Sequence, residues 1–141
     1  MINFSDELNK EFYDEQLDGK DYAILPSGSD EKFDYLNPCT ADLKKLFKIK
    51  YNIDVNISSK KQTRQISLYS SEIIIPIITG ASASIIAGVI LIYIGKFISN
   101  DKNLQCKIVY KASKKGYKSI ELKGSSSEVV KLLKKIEADD L

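Results

Sequence analysis

Histidine is absent from all 141 residues of the chain, and cysteine occurs only twice. The absence of histidine removes the commonest general base, the commonest metal ligand and the side chain that most often senses physiological pH. Cys39 and Cys106 lie 67 positions apart and are too few for a disulfide framework. We therefore expect two reduced thiols.

Recognisable catalytic motifs are also missing from the sequence. Acid pairs such as Asp14-Glu15 and Asp139-Asp140 lie in segments expected to be solvated, and Cys39 has no histidine to activate it. The small-residue segment 80–84 lacks the Gly-Lys pair of a phosphate-binding loop. The sequence therefore predicts a protein that is not an enzyme and that needs neither a cofactor nor a metal.

Charge is unevenly distributed along the chain, although the formal total is only +2. Residues 1–34 carry ten acidic and three basic side chains, whereas residues 35–141 carry nine acidic and 18 basic ones. An acidic segment beside a basic body can dock on that body or bind a protein partner. The acidic start also lacks the features of a cleavable signal peptide, so we expect an intracellular protein or one inserted through an internal apolar segment.

The longest stretch without a formal charge runs from Ile73 to Ile94 and contains ten isoleucines in 22 residues. About 20 apolar residues are enough for a helix to cross a bilayer. The sequence thus predicts one long apolar helix over residues 72–99 and a membrane protein with a single span. The alternative is a soluble, cytoplasmic domain with this helix buried in its core, because the flanking pieces are too short to be stable alone.

Small residues recur at four-residue spacing along this predicted helix, at Gly80, Ser84 and Gly88. In lipid, such a face allows two helices to approach closely and to associate. We therefore expect a homo-oligomer held together at these three residues. In a soluble fold, the same residues would allow the helix to pack closely on a sheet.

Hydrophobic periodicity predicts the remaining elements. A helix capped by Thr40 is followed by alternating apolar residues at 53–57 and at Ile66 and Leu68, which predict a β-hairpin. Alternation over 106–123 predicts a second hairpin, and Ser125 with Glu128 forms a capping pair before a C-terminal helix.

The predicted fold class is α+β, in the order helix, β-hairpin, long apolar helix, second β-hairpin, C-terminal helix. Four segments follow from this order. They are an acidic N-terminal arm (1–37), a helix with a hairpin (38–71), the apolar helix (72–99), and a basic hairpin with a helix (100–141).

Lysines crowd the turn of the second hairpin, with tyrosines between them. The lysines are Lys111, Lys114, Lys115 and Lys118, and the tyrosines are Tyr110 and Tyr117. Such a surface can bind the headgroups of anionic lipids or a nucleotide, although lysines also protect exposed sheet edges from pairing. We expect an anionic lipid or a nucleotide as the ligand here, and nucleic acid is not the expected partner.

Several segments, taken in order, resemble a known arrangement. They are the block 65–73, the apolar stretch, the lysine-rich hairpin 107–123 and the capped segment 127–133. Their order is similar to that in small effector-associated components of bacterial conflict and defence systems, over residues 53–138. The resemblance implies an accessory, adaptor or membrane-linked part rather than an enzyme, and it transfers no functional residue.

Two functions are therefore expected from the sequence. The first is a non-enzymatic, membrane-associated accessory or effector component that self-associates through its apolar helix and contacts a protein partner through the acidic arm. The alternative is a soluble α+β protein-interaction module, an adaptor or an inhibitor, with the apolar helix in its core.

Overall fold

The structure of the protein is a computed structural model that describes residues 2–59, 61–65, 72–113 and 116–139. Within these ranges the chain forms ten β-strands and four α-helices. In chain order they are β1 (Ile2–Leu8), α1 (Lys10–Leu17), β2 (Tyr22–Ile24), β3 (Gly28–Ser29), β4 (Phe33–Leu36), α2 (Thr40–Tyr51), β5 (Asn56–Ile57), β6 (Gln62–Gln65), β7 (Glu72–Ile74), β8 (Ile78–Gly80), α3 (Ala83–Phe97), β9 (Asn103–Ser113), β10 (Gly116–Ser125) and α4 (Ser126–Asp139).

Seven of the strands form one mixed sheet, in the order β1-β10-β9-β8-β2-β5, with β7 also paired to β9. Its centre is the antiparallel hairpin of β9 and β10, in which Ile108 lies opposite Ile120. β8 runs parallel to β9 and antiparallel to β2. The other three strands form a small sheet in the order β3-β4-β6. The predicted α+β class, the second hairpin and the C-terminal helix are therefore confirmed.

Helices cover the two faces of the large sheet unequally. α2, α3 and α4 pack on one face, where Phe47, Ile86 and Leu133 belong to the main buried core. α1 packs on the other face, where Leu17 and Val109 belong to a second, smaller core. The large sheet therefore lies between three helices on one side and one helix on the other.

Local hydrogen bonds set the beginnings of α2 and α4 differently. The Ser125 hydroxyl accepts a hydrogen bond from the Glu128 amide at 3.3 Å, which confirms the predicted cap of the C-terminal helix. The predicted cap at Thr40 is wrong. Cys39 occupies the N-cap position of α2 without a side-chain hydrogen bond, and Thr40 is already the first helical residue.

The predicted long apolar helix over residues 72–99 is also wrong. These residues form β7, a connection at 75–77, β8 and then α3. Isoleucine is β-branched and favours strands, and Pro76 cannot continue a helical hydrogen-bond pattern. The Ser82 hydroxyl accepts from the Ile85 amide at 3.4 Å, so a new helix begins there. A strand that is buried on both faces has a continuous apolar sequence, as a buried helix does, which explains the error.

α3 has 15 residues and is about 22 Å long at 1.5 Å per residue, less than the thickness of about 30 Å of a bilayer's hydrocarbon core. Within the described residues, no helix combines the length and the apolar character that a membrane span requires. The buried residues of α3, including Ile86, Val89, Ile90 and Ile94, belong to the main core on the sheet.

Only the first strand of the predicted first hairpin, at residues 53–57, lies within the described residues. β5 pairs parallel with β2, and β6 pairs parallel with β4, so the two strands belong to different sheets. Hydrophobic alternation identifies a strand and its buried face, but it does not identify the strand with which it pairs. Ile66 and Leu68, predicted as the returning strand, lie outside the described residues.

The acidic segment 1–37 supplies the strands from β1 to β4. β1 pairs with β10, and β2 lies between β5 and β8. Strands from all four predicted segments therefore join in the large sheet, and the predicted divisions near residues 37, 71 and 99 do not coincide with separate sheets.

Candidate functional site

The three residues of the predicted helix-association face lie in two different elements. Gly80 ends β8 directly opposite Tyr22 of β2, whereas Ser84 and Gly88 lie in α3. The Ser84 hydroxyl donates to the backbone oxygen of Glu137 in α4 at 2.9 Å. A Cβ atom added to Gly88 would lie 2.6 Å from Oε2 of Glu137. Ser84 and Gly88 thus face α4 of the same chain, and Gly80 does not share their surface.

The predicted anion-binding lysines do not all lie on one side of the hairpin. Lys111 is paired with Tyr117, and Lys118 with Tyr110. Paired residues share a face of the sheet, and successive residues alternate between faces. Lys111 therefore lies on the side of α1, and Lys118 on the side of the other three helices. Two further predicted residues, Lys114 and Lys115, lie outside the described residues.

A buried tyrosine joins the hairpin to α1. Tyr117 is only 1% exposed, and its hydroxyl donates to Oδ1 of Asp14 at 2.6 Å, while Lys10 contacts Oδ2 of the same carboxylate at 2.9 Å. Burial and the hydrogen bond to Asp14 raise the pKa of Tyr117. The hydrogen bond from Tyr117, followed by that from Lys10, lowers the pKa of Asp14. The phenol therefore stays protonated and acts as a structural donor rather than as a base.

Tyr117→Phe should make the fold less sensitive to acid. In the wild type, Asp14 binds a proton less readily in the folded chain than in the unfolded chain, so it contributes stability above about pH 4 that is lost as the pH falls through its lowered pKa. Removal of the hydroxyl raises that pKa toward its ordinary value. Urea unfolding near neutral pH and near pH 3 should therefore show a smaller fall in the free energy of unfolding for the variant. An equal fall in both proteins would contradict this role of the hydrogen bond.

Neither cysteine is placed to act as a nucleophile. Both are free, as predicted, and both are buried. Burial raises the pKa of Cys39 to about 11 and that of Cys106 to about 12, and the Cys39 thiol donates to Oδ1 of Asn37 at 2.6 Å. Such thiols hold almost no reactive thiolate at neutral pH. Among the residues that the structure describes, no group of three or more suitable side chains could hold a metal ion.

The native chain should therefore react slowly with an aromatic disulfide reagent near neutral pH. Both thiols should react rapidly only after the chain is unfolded in denaturant, because a buried thiol must become exposed before it can ionise. The absorbance of the released aromatic thiolate measures both rates. Rapid release of one equivalent from the native protein would show that one thiol is already accessible and ionised.

An open groove of about 370 Å³ lies between α2 and the segment 53–57, and we call it the α2–β5 groove. Apolar side chains form its floor, and lysines of α2 form its rim. The lining residues are Ala41, Lys44, Lys45, Lys48, Ile53, Asp54, Val55 and Ile57.

The end of α2 explains how the groove forms. Asn52 adopts the left-handed conformation (φ 55°), and its amide donates to the backbone oxygen of Lys48 at 2.9 Å. The next amide, that of Ile53, donates to the backbone oxygen of Phe47 at 3.2 Å. The chain therefore reverses direction and returns beside the helix, where Val55 is buried.

β5 lies at the edge of the large sheet, and among the described residues no strand pairs with its outer side. The Ser58 amide donates to the backbone oxygen of Ile24 in β2 at 2.9 Å. In a parallel pair, the backbone groups of alternate residues point to the same side of the strand. Those of Asn56 thus point to β2, while those of Val55 and Ile57 point outward from the sheet.

Side chains of the segment 53–57 also alternate. The Asn56 amide side chain donates to the backbone oxygen of Gln16 in α1 at 2.9 Å, so it lies on the α1 side of the sheet. Val55 and Ile57 therefore lie on the α2 side and contribute to the floor of the groove. One face of this edge is polar and the other is apolar.

Lysines make the rim of the groove positive. Lys48 lies 3.4 Å from Oδ1 of Asp54, and both side chains are exposed. For Lys44 and Lys45, no ion pair is found within the described part of the chain. The nearby Ile49 is 79% exposed and extends the apolar surface of α2. The rim therefore combines excess positive charge with exposed apolar area.

The groove was not identified from the sequence. The sequence predicted residues 53–57 as half of a hairpin and assigned no role to the lysines of α2. The sequence does contain a signal for the groove. Asn52 ends α2, and apolar residues then alternate at positions 53, 55 and 57. This pattern indicates a strand that returns beside the helix before it.

Comparisons with models of known protein families, with curated proteins and with solved structures find no match for the chain.

Proposed function

We propose that the chain is a non-enzymatic protein-interaction module that binds a segment of a partner protein in the α2–β5 groove. The observation that carries this proposal is an open groove with an apolar floor and a rim of lysines. Apolar grooves with a few polar groups bind the side chains of partner segments.

The lysine rim supports selectivity in this proposal. Lysines beside an edge strand discourage its pairing with a second copy of the same surface, since like charges would then meet. A negatively charged partner is attracted instead, and its association is accelerated at low salt. The sequence resemblance to effector-associated components makes an effector protein the class of partner that such an adaptor or inhibitor would serve.

The proposal is tested with peptides selected on the wild-type chain from a displayed library of random segments about ten residues long, the upper length of common strands. Their affinities are then measured for the wild type and for Lys44→Glu/Lys45→Glu. A matched control is Lys131→Glu/Lys134→Glu, which changes two exposed lysines of α4. We expect the groove variant to bind at least about tenfold more weakly, which is about 1.4 kcal/mol, and the control to bind as the wild type does.

Selected peptides that bind the groove variant as tightly as the wild type would reject the groove as the binding site. A failure of the library to yield any binder with a measurable affinity would reject the interaction function itself. Circular dichroism of both double variants is needed as a check that the exposed substitutions leave the fold intact, as expected for exposed residues.

The membrane-associated, self-associating function expected from the sequence makes a different prediction. A protein anchored in a bilayer stays with the membrane fraction after an alkaline carbonate wash, whereas one held by surface charge is released by salt. Lipid contact at the second hairpin predicts that Lys111→Gln and Lys118→Gln each weaken binding to vesicles with anionic headgroups. If the protein is recovered in the supernatant after the wash and does not bind vesicles at low salt, both membrane anchoring and lipid contact at the second hairpin are excluded.

A further inference from the structure

Helix α1 carries an exposed apolar ring within an acidic surface. One side of the helix is buried on the large sheet, whereas Phe12 is 44% exposed. Glu11 and Glu15 lie four residues apart on the outer side, and Asp18 follows the last turn; all three are exposed. Residues at this spacing share one side of a helix. α1 therefore presents a phenylalanine ring beside a row of carboxylates.

The charge of this surface stays negative after its internal ion pair. Lys10 lies 2.9 Å from Oδ2 of Asp14, so these two charges offset each other. For Glu11 and Asp18, no ion pair is found among the residues that the structure describes. The segment 10–18 as a whole has four acidic side chains and one basic side chain.

The α2–β5 groove has the opposite charge and room for an aromatic ring. An apolar cavity of about 150 Å³ already holds a benzene molecule, and the groove has about 370 Å³. Lys44 and Lys45 lie on its rim, and neither has an ion pair within the described part of the chain. Carboxylates on either side of an inserted ring would complete such pairs.

The large sheet separates the two surfaces within one chain. α1 packs on one face of the sheet, whereas α2 and the apolar floor of the groove lie on the other. Contact between α1 and the groove therefore requires two copies of the chain. Because unlike surfaces meet, each copy can bind one neighbour through its groove and another through α1, head to tail.

Resting on the proposed function, we infer that the α2–β5 groove also binds a second copy of this chain, with Phe12 of one copy on the apolar floor of the next. The acidic side chains around Phe12 then lie beside Lys44 and Lys45. A partner segment and a second copy compete for one groove, so binding of the partner dissociates the assembly.

Sedimentation equilibrium of the full chain tests this inference. The mean mass of the wild type should rise between about 10 μM and about 1 mM, the range of weak association, and should fall when salt is raised. Phe12→Gln and Lys44→Glu/Lys45→Glu should each weaken association at least about tenfold, or about 1.4 kcal/mol. Peptides selected on the groove should lower the mean mass of the wild type.

Matched controls separate this contact from general effects of exposed substitutions. Phe97 in α3 is 55% exposed, and its ring lies 5.0 Å from that of Tyr93, as the ring of Phe12 lies 5.0 Å from that of Tyr13. Phe97→Gln should therefore associate as the wild type does, and so should the α4 variant with two lysines changed. Circular dichroism checks that each variant keeps its fold.

A mixture of the two interface variants gives the most specific result. Phe12→Gln keeps its groove, whereas Lys44→Glu/Lys45→Glu keeps its α1. Mixed in equal amounts, they should form a 1:1 pair and nothing larger, because the groove of the first binds α1 of the second and the other two surfaces are disabled. Mixing would not restore an interface between like surfaces.

Three outcomes would overturn the inference. They are a wild type that is monomeric at every concentration, an assembly that persists in both interface variants, and a mixture that forms no 1:1 pair. If a monomeric chain still binds the selected peptides in its groove, the proposed function stands and a foreign protein is the occupant. If it binds anionic vesicles through Lys44 and Lys45 instead, the occupant is a lipid surface. A monomeric chain for which the library yields no binder would reject the proposed function as well.

Discussion

Gly80→Ala should lower the free energy of unfolding by about 3 kcal/mol, at the upper end of the usual cost of overpacking a core. Tyr22 lies directly across the sheet from Gly80, and its ring covers the glycine. A Cβ atom at this position would lie 2.6 Å from Cε1 and 2.8 Å from Cγ of that ring, and closer still to Cδ1. Tyr22 is only 3% exposed and its ring packs against Phe47, so the ring can move away only if its neighbours move with it.

Gly95→Ala is the matched control for this substitution. Gly95 lies in the last turns of α3, is exposed, and has open space where a Cβ atom would be added. Alanine there should raise the stability by up to about 1 kcal/mol, since alanine favours a helix more than glycine does. Urea titrations of both variants measure the two effects. A cost at Gly80 no larger than about 0.5 kcal/mol, the range of neutral surface changes, would contradict the close contact with Tyr22.

Phe47→Ala should lower the free energy of unfolding by about 3 to 5 kcal/mol, at least as much as Gly80→Ala. Phe47 has no exposed surface, and its ring lies 5.5 Å from that of Tyr22, centroid to centroid, at an angle of 39°. Its removal leaves a cavity between α2 and the sheet and deletes the aromatic contact. Two probes, the tyrosine signal and circular dichroism, should give the same midpoint for the unfolding of the variant if that unfolding remains cooperative.

Phe47 and Gly80 contact Tyr22 from different elements, so their substitutions should not be additive. Phe47→Leu removes part of the ring and leaves room into which Tyr22 can shift. Gly80→Ala should therefore cost less in the Phe47→Leu background than in the wild type, with a coupling free energy of about 1 kcal/mol. Strict additivity within about 0.3 kcal/mol would indicate that the Tyr22 ring cannot move toward α2.

Local signals in the sequence predicted several elements correctly. The alternation of Ile108 with its neighbours and the capping pair at Ser125 and Glu128 each depend on residues close in sequence, and both the hairpin and α4 are confirmed. The two buried cysteines were likewise predicted as free thiols. Elements whose stabilising contacts are local can be predicted from the sequence, because periodicity and capping depend on residues that are close in sequence.

Elements that depend on distant partners were predicted less well. The apolar stretch divides into strands and a helix because β8 pairs with both β9 and β2, and neither neighbour is visible in the stretch itself. Gly80 was read as a small residue on a helix, although it is the cross-strand neighbour of Tyr22. The candidate groove was missed for the same reason, because its edge exists only once β5 has paired with β2.

The pairing of β1 with β10 has a consequence for how the chain is made. Ile2 lies beside Leu122, so β1 is synthesised about 120 residues before the strand with which it pairs. β2 is likewise synthesised before β5 and β8, the two strands with which it pairs. Such long-range pairing slows folding and leaves apolar segments exposed during synthesis. The isoleucine-rich segment 73–94 is one such apolar segment, because β7 and β8 within it pair with β9, which is synthesised later.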